Sequence, residues 1–252
     1  MNLRLDISYD GSYFRGFAAQ PGLQTVQGEI DAALVRLLRV ERVQSVGAGR
    51  TDAGVHALGQ VMSVPEIADD IDLDRLRAGL NSVLGGRIAV RSCRTADSDF
   101  NARFSARSRL YVYAILQSEF PHPFLARTSL WHRRPLLMEA MNEAAGHLVG
   151  EHDFSSFGRV APGAASRRTL FELSCSRSGS IIKIRARANA FIQQMVRSLV
   201  GTLVQVGEGK RNPDEIAVVL EGRDRSMAGP VAPPHGLCLV SVEYDDGWSR
   251  PT

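Results

Sequence analysis

Residues 3–95 switch between a two-residue and a 3.6-residue hydrophobic period, and the order of the switches leaves few folds open. LRLDISYDG at the start alternates apolar and polar side chains into a turn and reads as a strand. Val26, Ile30, Ala33, Leu34, Leu37 and Leu38 then recur on one face of a helix. Strand signals return in VQSVGA and GQVMSVP, a second helix is built on Ile71, Leu73, Leu76, Leu80 and Val83, and RIAVRSCRT closes as a strand. Strand, helix, strand, strand, helix, strand is the split unit of a ferredoxin-like fold.

The second half repeats the theme less cleanly. RLYVYAILQ is β-prone, and LMEAMNEAAGHLVG sets Leu137, Met141, Ala144, Ala145 and Leu148 on one helical face before Gly150. TLFELSCSRSG and SIIKIRARA read as a strand pair turning at Ser178-Gly179. NAFIQQMVRSLVGTLVQVG predicts a helix capped by Asn189 and ended by a left-handed Gly207, and GLCLVSVEY a last strand. The expectation is an α+β chain of two ferredoxin-like halves, residues 1–100 and 101–252, forming one extended mixed sheet with flanking helices. No Pro- or Gly-rich linker interrupts residues 95–108, where the halves join.

Composition narrows the class. An apolar content of 44 % with a net charge of +3 over 252 residues describes a folded domain rather than a disordered chain. No stretch reaches the roughly 20 apolar residues of a membrane span, and the start lacks a signal-peptide plan, so a cytoplasmic protein is expected. Cys93, Cys175 and Cys238 have no pairing or zinc spacing and are expected to be buried and inert. Lys183 and Lys210 are the only lysines, so arginine supplies 28 of the 30 basic residues. Arginine suits phosphate oxygens and stacks on bases, although genomic base composition also favours it. Placement adds weight: Arg103, Arg107 and Arg109 alternate with Phe104, Tyr111 and Tyr113, as on surfaces that track phosphates and stack on unpaired bases.

VGAGRTDAGVHALGQV, residues 46–61, gathers glycines around Arg50, Asp52 and His56. A dinucleotide turn needs glycine at its sixth position, and counting from Gly47 that position is Asp52, whose charge repels a pyrophosphate. Asp52 and His56 could share a helical face as metal ligands, but Gly54 between them disfavours a helix by about 1 kcal/mol, and no third ligand is near. Asp52 could itself react: glycines give room for a planar substrate, and Arg50 keeps a carboxylate ionised. An Asx-type turn with a surface ion pair uses the same residues, so residue types alone leave both readings open.

GAGRTDAGVHALGQV also closely resembles the signature of the TruA family of tRNA pseudouridine synthases. YDGSYFRGF, DFNARFSARSRLYVY, GEHDFSSF, ANAFIQQMVRSLVG and GLCLVSVEY resemble further family segments in the family's order, so the likeness spans nearly the whole chain. The resemblance implies the pseudouridine synthase fold and an enzyme that isomerises uridines on the 3′ side of the tRNA anticodon arm, expected at tRNA positions 38, 39 and 40. The N-glycosidic bond would break and the base rejoin through carbon, with no cofactor and no metal. By the same resemblance Asp52 matches the catalytic aspartate, Tyr111 the tyrosine that stacks on the target base and helps remove its proton, and Arg197 the active-site arginine that pairs with the aspartate. Arg50 matches a basic residue that opens the stem and holds the flipped nucleotide; Arg107, Arg109 and Arg167 complete the expected substrate-binding set. A homodimer with tRNA as partner is implied, needing no protein partner and no membrane. Attack at the base, attack at the sugar C1′ and a glycal route all stay open.

Two departures bear on RNA contact. Phe17 and Ala18 stand where the family has tryptophan and glutamine, and the loop VAPGAASRR matches only at Ser166-Arg167. A non-catalytic tRNA-binding or RNA-folding protein on the same scaffold is the alternative from another class. A nucleoside glycosidase would need a second acid facing Asp52, which the local sequence lacks.

Overall fold

The computed structural model describes residues 2–68 and 70–245. In chain order the described residues form β1 (Asn2–Tyr9), α1 (Val26–Leu38), β2 (Val46–Gly47), β3 (His56–Val64), α2 (Leu73–Leu84), β4 (Ile88–Ala96), β5 (Ser108–Gln117), β6 (Leu130–His132), α3 (Met138–Gly146), β7 (Gly150–Asp153), β8 (Arg167–Ser178), β9 (Ile181–Ala188), α4 (Met195–Gly207), α5 (Glu215–Gly222) and β10 (Leu237–Glu243). The class is α+β. Two compact units result: one holds the chain up to Arg107 together with the residues from Cys238 onward, the other Ser108–Leu237. The halves read from sequence were 1–100 and 101–252; the last strand groups instead with the first unit.

In the first unit the strand order is β4-β1-β3, with β1 antiparallel to both neighbours. Two segments share the outer edge of β3: β2 pairs antiparallel at Met62 and Ser63, and β10 pairs parallel at His56 and Ala57. The order β4-β1-β3-β2, with α1 before β2 and α2 before β4, is the arrangement expected of a split β-α-β unit. Strand β2 is shorter than VQSVGA suggests, two residues long, and β10 takes the part of that edge at His56 and Ala57. Thr25 caps α1 by accepting from Gly28 N–H, and Asp72 caps α2 by accepting from Arg75 N–H. Gly79 of α2 lets the Leu37 side chain of α1 approach its backbone.

The alternation in β1 hides a second buried layer. Leu3, Leu5 and Ile7 are fully buried with Ile30 and Leu34 of α1 and Leu80 of α2. The intervening Arg4 and Asp6 are only 2 % and 3 % exposed, so the face that reads as solvated is also covered. Arg4 donates twice to Asp6 Oδ1, at 3.1 and 2.8 Å, and its guanidinium lies 4.8 Å from the Tyr244 ring centre and 5.7 Å from that of Phe100. Arg94 and Ser92 of β4 bind Asp6 Oδ2. Breaking one side of such a buried pair costs about 3–5 kcal/mol, because the remaining charge is left stranded.

In the second unit the order is β5-β9-β8-β7, antiparallel throughout, with β6 added parallel on β5. The β8–β9 hairpin turns at Gly179, whose φ is +58°. Helices α3 and α4 pack at Gly207, where a Cβ would lie 2.7 Å from Met141 Sδ. Two helix-end expectations change. Helix α4 starts at Met195, not after Asn189: the Asn189 side chain instead accepts from Thr169 and Ala190 N–H, and residue 193 bridges to Arg159. Gly207 stays inside the helix, and Gly209, at φ +70°, takes the left-handed turn.

No helix among the described residues is long and apolar enough to cross a membrane. Cys175 is buried, while Cys93 and Cys238 are half-buried rather than buried as expected. Burial pushes the three thiols up, to about 11 for Cys93 and Cys238 and about 12 for Cys175, so none is a ready thiolate at neutral pH.

Asp31 on α1 accepts a 2.5 Å hydrogen bond from Ser45 Oγ, yet burial outweighs that bond and raises its pKa to about 6. The folded state therefore holds this proton more tightly than the unfolded chain, and the group's contribution to stability is lost as pH rises through about 4 to 6. Asp31→Asn is expected to stabilise the protein by about 1 kcal/mol at pH 7.5, allowing for solvent screening, and to lose that advantage near pH 4. Urea midpoints at the two pH values measure it.

Candidate active site

The Asp52 loop joins β2 to β3 and is held by its main chain. Ala48 N–H donates to Val61 O at 2.8 Å, Phe17 N–H to Thr51 O at 3.0 Å, and Val55 N–H to Asp52 O at 3.1 Å. The last bond closes a turn that needs φ +81° at Gly54. Asp52 sits half-buried at this turn, and Arg50 is exposed two residues before it.

Segment 9–17 is the clamp on this loop. A Cβ on Gly11 would lie 2.0 Å from Val55 O, and one on Gly47 would lie 2.3 Å from the Phe17 ring, so both close approaches need glycine. Phe17, 2 % exposed, is thus a core residue seated on Gly47. Gly59 likewise makes way for protein, since a Cβ there would meet Val240 O of β10 at 2.2 Å. The expectation that these glycines clear space for a substrate is corrected at Gly47 and Gly59: the space is already filled.

His56 opens β3 and is 8 % exposed. Its Nδ1 accepts from Gly11 N–H at 3.2 Å and lies 3.1 Å from Asp10 Oδ1. That places His56 in the clamp. Among the described residues, no group of three or more His, Cys, Asp and Glu side chains converges as metal ligands would.

In the second unit, strand alternation puts Arg109, Tyr111 and Tyr113 on one face of β5, at 8 %, 7 % and 0 % exposure. Arg109 Nη1 donates to Asn189 O at 2.6 Å, which ties β5 to the end of β9. The Tyr111 ring meets Phe191 edge-on, with centres 5.2 Å apart and planes at 88°. Tyr113 O–H donates to Pro233 O at 2.9 Å. Burial raises its phenol well above the usual range, and the charge of Arg197 opposes the rise.

Arg197 lies on the first turn of α4, half-buried. Its Nε donates to Ala232 O at 2.7 Å, and Ala232 N–H donates back to Arg197 O at 3.0 Å. Gly229 N–H adds a bond to Thr202 Oγ1 at 2.9 Å. A Cβ on Gly201 would lie 1.8 Å from Pro230 O, so segment 229–233 runs directly against the helix. Gln193, one turn before Arg197 in the sequence reading, lies outside α4.

The remaining basic residues lie elsewhere. Arg107 is exposed and forks onto the Asp245 carboxylate, with Nε at 2.7 and 2.8 Å from its two oxygens. That contact holds the Asp245 carboxyl below its usual range. Arg167 is exposed, donates to Glu151 Oε1 at 3.2 Å, and lines a cavity of about 300 Å³ with His147, His152, Asp153 and Arg223. Sequence reasoning missed the clamp and the 229–233 segment. Gly11 and Gly16 in YDGSYFRGF were the available signal for the first; the second has no local pattern.

Comparison of the sequence with known proteins shows its family. A family model described as tRNA pseudouridine synthase matches residues 7–105 and 144–245. A Frankia casuarinae protein named tRNA pseudouridine synthase A is 46 % identical over 247 residues, covering 97 % of this chain and 89 % of that one. Proteins of the same name from Brevibacillus brevis and Bacillus subtilis are 43 % and 40 % identical, covering 96 % and 98 % of this chain and 99 % and 100 % of theirs. The chain belongs to the tRNA pseudouridine synthase family.

Two glycines test how tightly the Arg197 segment is seated. Gly201→Ala is expected to lose about 1–3 kcal/mol, since its methyl meets a backbone carbonyl. Gly146→Ala, with open space around it at the end of α3, is expected to be neutral or mildly stabilising. Urea denaturation of both variants checks the contrast.

Proposed function

We propose that the protein isomerises uridines on the 3′ side of the tRNA anticodon arm to pseudouridine, acting as a cytoplasmic homodimer. The observation that carries this reading is 40–46 % identity, over nearly full length, to proteins named tRNA pseudouridine synthase A. The reaction conserves atoms and electrons: the N1–C1′ bond breaks, a C5–C1′ bond forms, and the C5 proton is replaced by one on N1. No electron acceptor is called for.

Within this reading Asp52 is the catalytic carboxylate, on a loop whose backbone bonds keep it in place while a nucleotide enters. Tyr111 stacks on the target base, its ring angle set by Phe191. Arg197 is the active-site arginine, its stem fixed by the paired bonds to Ala232. Arg50 is exposed where it can hold a flipped nucleotide, whose unstacking costs a few kcal/mol. Arg107, Arg109 and Arg167 have different standing. Arg109 is buried and bonded to the main chain, which suits a structural part of the site. Arg107 and Arg167 hold exposed carboxylate partners that a phosphate could displace, because such surface pairs are worth little.

Incubating the purified protein with an unmodified tRNA transcript and mapping pseudouridine tests the reading directly. Conversion in the anticodon arm is expected; binding without conversion would favour the non-catalytic alternative. Asp52→Asn is expected to abolish conversion while tRNA binding persists, and that binding is expected to weaken steeply as salt rises. Filter binding across a salt series measures the second effect.

A further inference from the structure

Beneath the Asp52 loop runs a chain of polar side chains to which the proposed chemistry assigns no part. Tyr9 ends β1 with 6 % of its surface exposed, and its hydroxyl lies 2.8 Å from Thr51 Oγ1. Gln60, wholly buried in β3, donates from Nε2 to Gly49 O at 2.7 Å and accepts from Val61 N–H at 3.2 Å through Oε1. The Gln60 side chain also hydrogen-bonds the Tyr9 hydroxyl. Burying a phenol, an aliphatic hydroxyl and a carboxamide adds little net stability even when all are bonded. What a satisfied network of this kind supplies is a fixed geometry.

Gln60 Oε1 is taken by Val61 N–H, so the amide hydrogens are left for Gly49 O and the Tyr9 hydroxyl. The Tyr9 and Thr51 hydroxyls share one hydrogen bond, in which either oxygen can donate. The two loop atoms fixed in this way lie on Gly49 and Thr51, the residues directly before Arg50 and Asp52. With the Phe17 bond to Thr51 O, residue 51 is held at both its side chain and its carbonyl.

We propose that Tyr9, Gln60 and Thr51 are positioning residues, which act through the Tyr9–Thr51 and Gln60–Gly49 bonds to set the Asp52 carboxylate in reactive geometry toward the target uridine. The inference rests on the uridine-isomerase reading above. A displacement of the order of 1 Å at a reacting group can slow chemistry by about 100-fold while leaving binding intact. That difference separates positioning from simple support of the fold.

The test uses three variants of the full chain. Tyr9→Phe removes one oxygen, Thr51→Val removes the hydroxyl at nearly constant volume, and Thr51→Ser restores a hydroxyl. For each, the single-turnover rate of pseudouridine formation is measured on a saturated, unmodified tRNA transcript, alongside the Kd for that tRNA and the far-ultraviolet circular dichroism. Tyr9→Phe and Thr51→Val are expected to slow the single-turnover step about 10- to 100-fold with Kd and spectrum unchanged, and Thr51→Ser to recover most of the rate. Wild-type rates in Tyr9→Phe and Thr51→Val overturn the proposal, and a loss in only one of them overturns the coupled chain. Thr51→Ser as slow as Thr51→Val overturns it as well, as does any slowing matched by lost binding or lost folded protein. Should Tyr9→Phe fail to fold, the two Thr51 variants decide. A wild-type protein that makes no pseudouridine overturns the isomerase reading and this inference with it; an active wild type with undiminished variants overturns this inference alone.

Discussion

The main chain between Gly47 and His56 is bonded outward, to β3 and to the segment from Gly11 to Phe17, and the chemistry assigned to the first unit depends on that anchoring. A loop fixed through its peptide groups and through the Thr51 hydroxyl keeps its shape while its exposed side chains turn. Buried backbone donors and acceptors must be paired somewhere, and here the pairing partners are also the device that sets the loop. Glycine makes it possible. Where Gly11 meets Val55 O and Gly47 meets Phe17, any side chain would hold the two segments apart.

The second unit reaches a comparable result on a helix. Arg197 and Ala232 exchange bonds between side chain and carbonyl and between amide and carbonyl, so the helix and segment 229–233 are registered to each other. Gly201 and Gly229 again supply the closeness, with Pro230 O and the Thr202 backbone where Cβ atoms would be. Tyr113, bonded to Pro233 O, fastens the same segment to β5. An arginine so placed has lost most of the rotamer freedom of its class, which lowers the entropy cost of any contact its remaining nitrogens make.

Much of the fold, though not this anchoring, was legible in the sequence, for reasons that also mark where reading stopped. Hydrophobic period is a local property, so β1, α1, α2, β4, β5 and the β8–β9 hairpin could be read from residues a few positions apart. Period does not say what covers the other face: Arg4 and Asp6 look solvated in β1 and are buried because Phe100 and Tyr244 lie over them. Asn189 has the side chain of a helix cap and uses it at a hairpin end, since Thr169 N–H is nearer than any helix. The parallel pairing of β10 with β3 joins residues far apart in sequence, which no local pattern encodes. Resemblance, not chemistry, singled out Asp52 and Arg197. The arginine surplus was the least specific sign: Arg185 pairs with Glu172, Arg167 with Glu151, Arg107 with Asp245 and Arg94 with Asp6, so much of it balances acid within the protein.

The first unit is built from segments on either side of the second in the sequence, and this bears on biosynthesis. Strands β5 to β9 all lie within one uninterrupted stretch of the nascent chain, and the second unit has all its residues once Leu237 has been made. The first unit at that moment still lacks the strand that pairs with β3 at His56 and Ala57 and the Tyr244 ring over Arg4. Its residues up to Arg107 emerge before the second unit and are completed after it. An open strand edge and an incompletely covered charge thus persist while the second unit is made, and residues 238–244 close both.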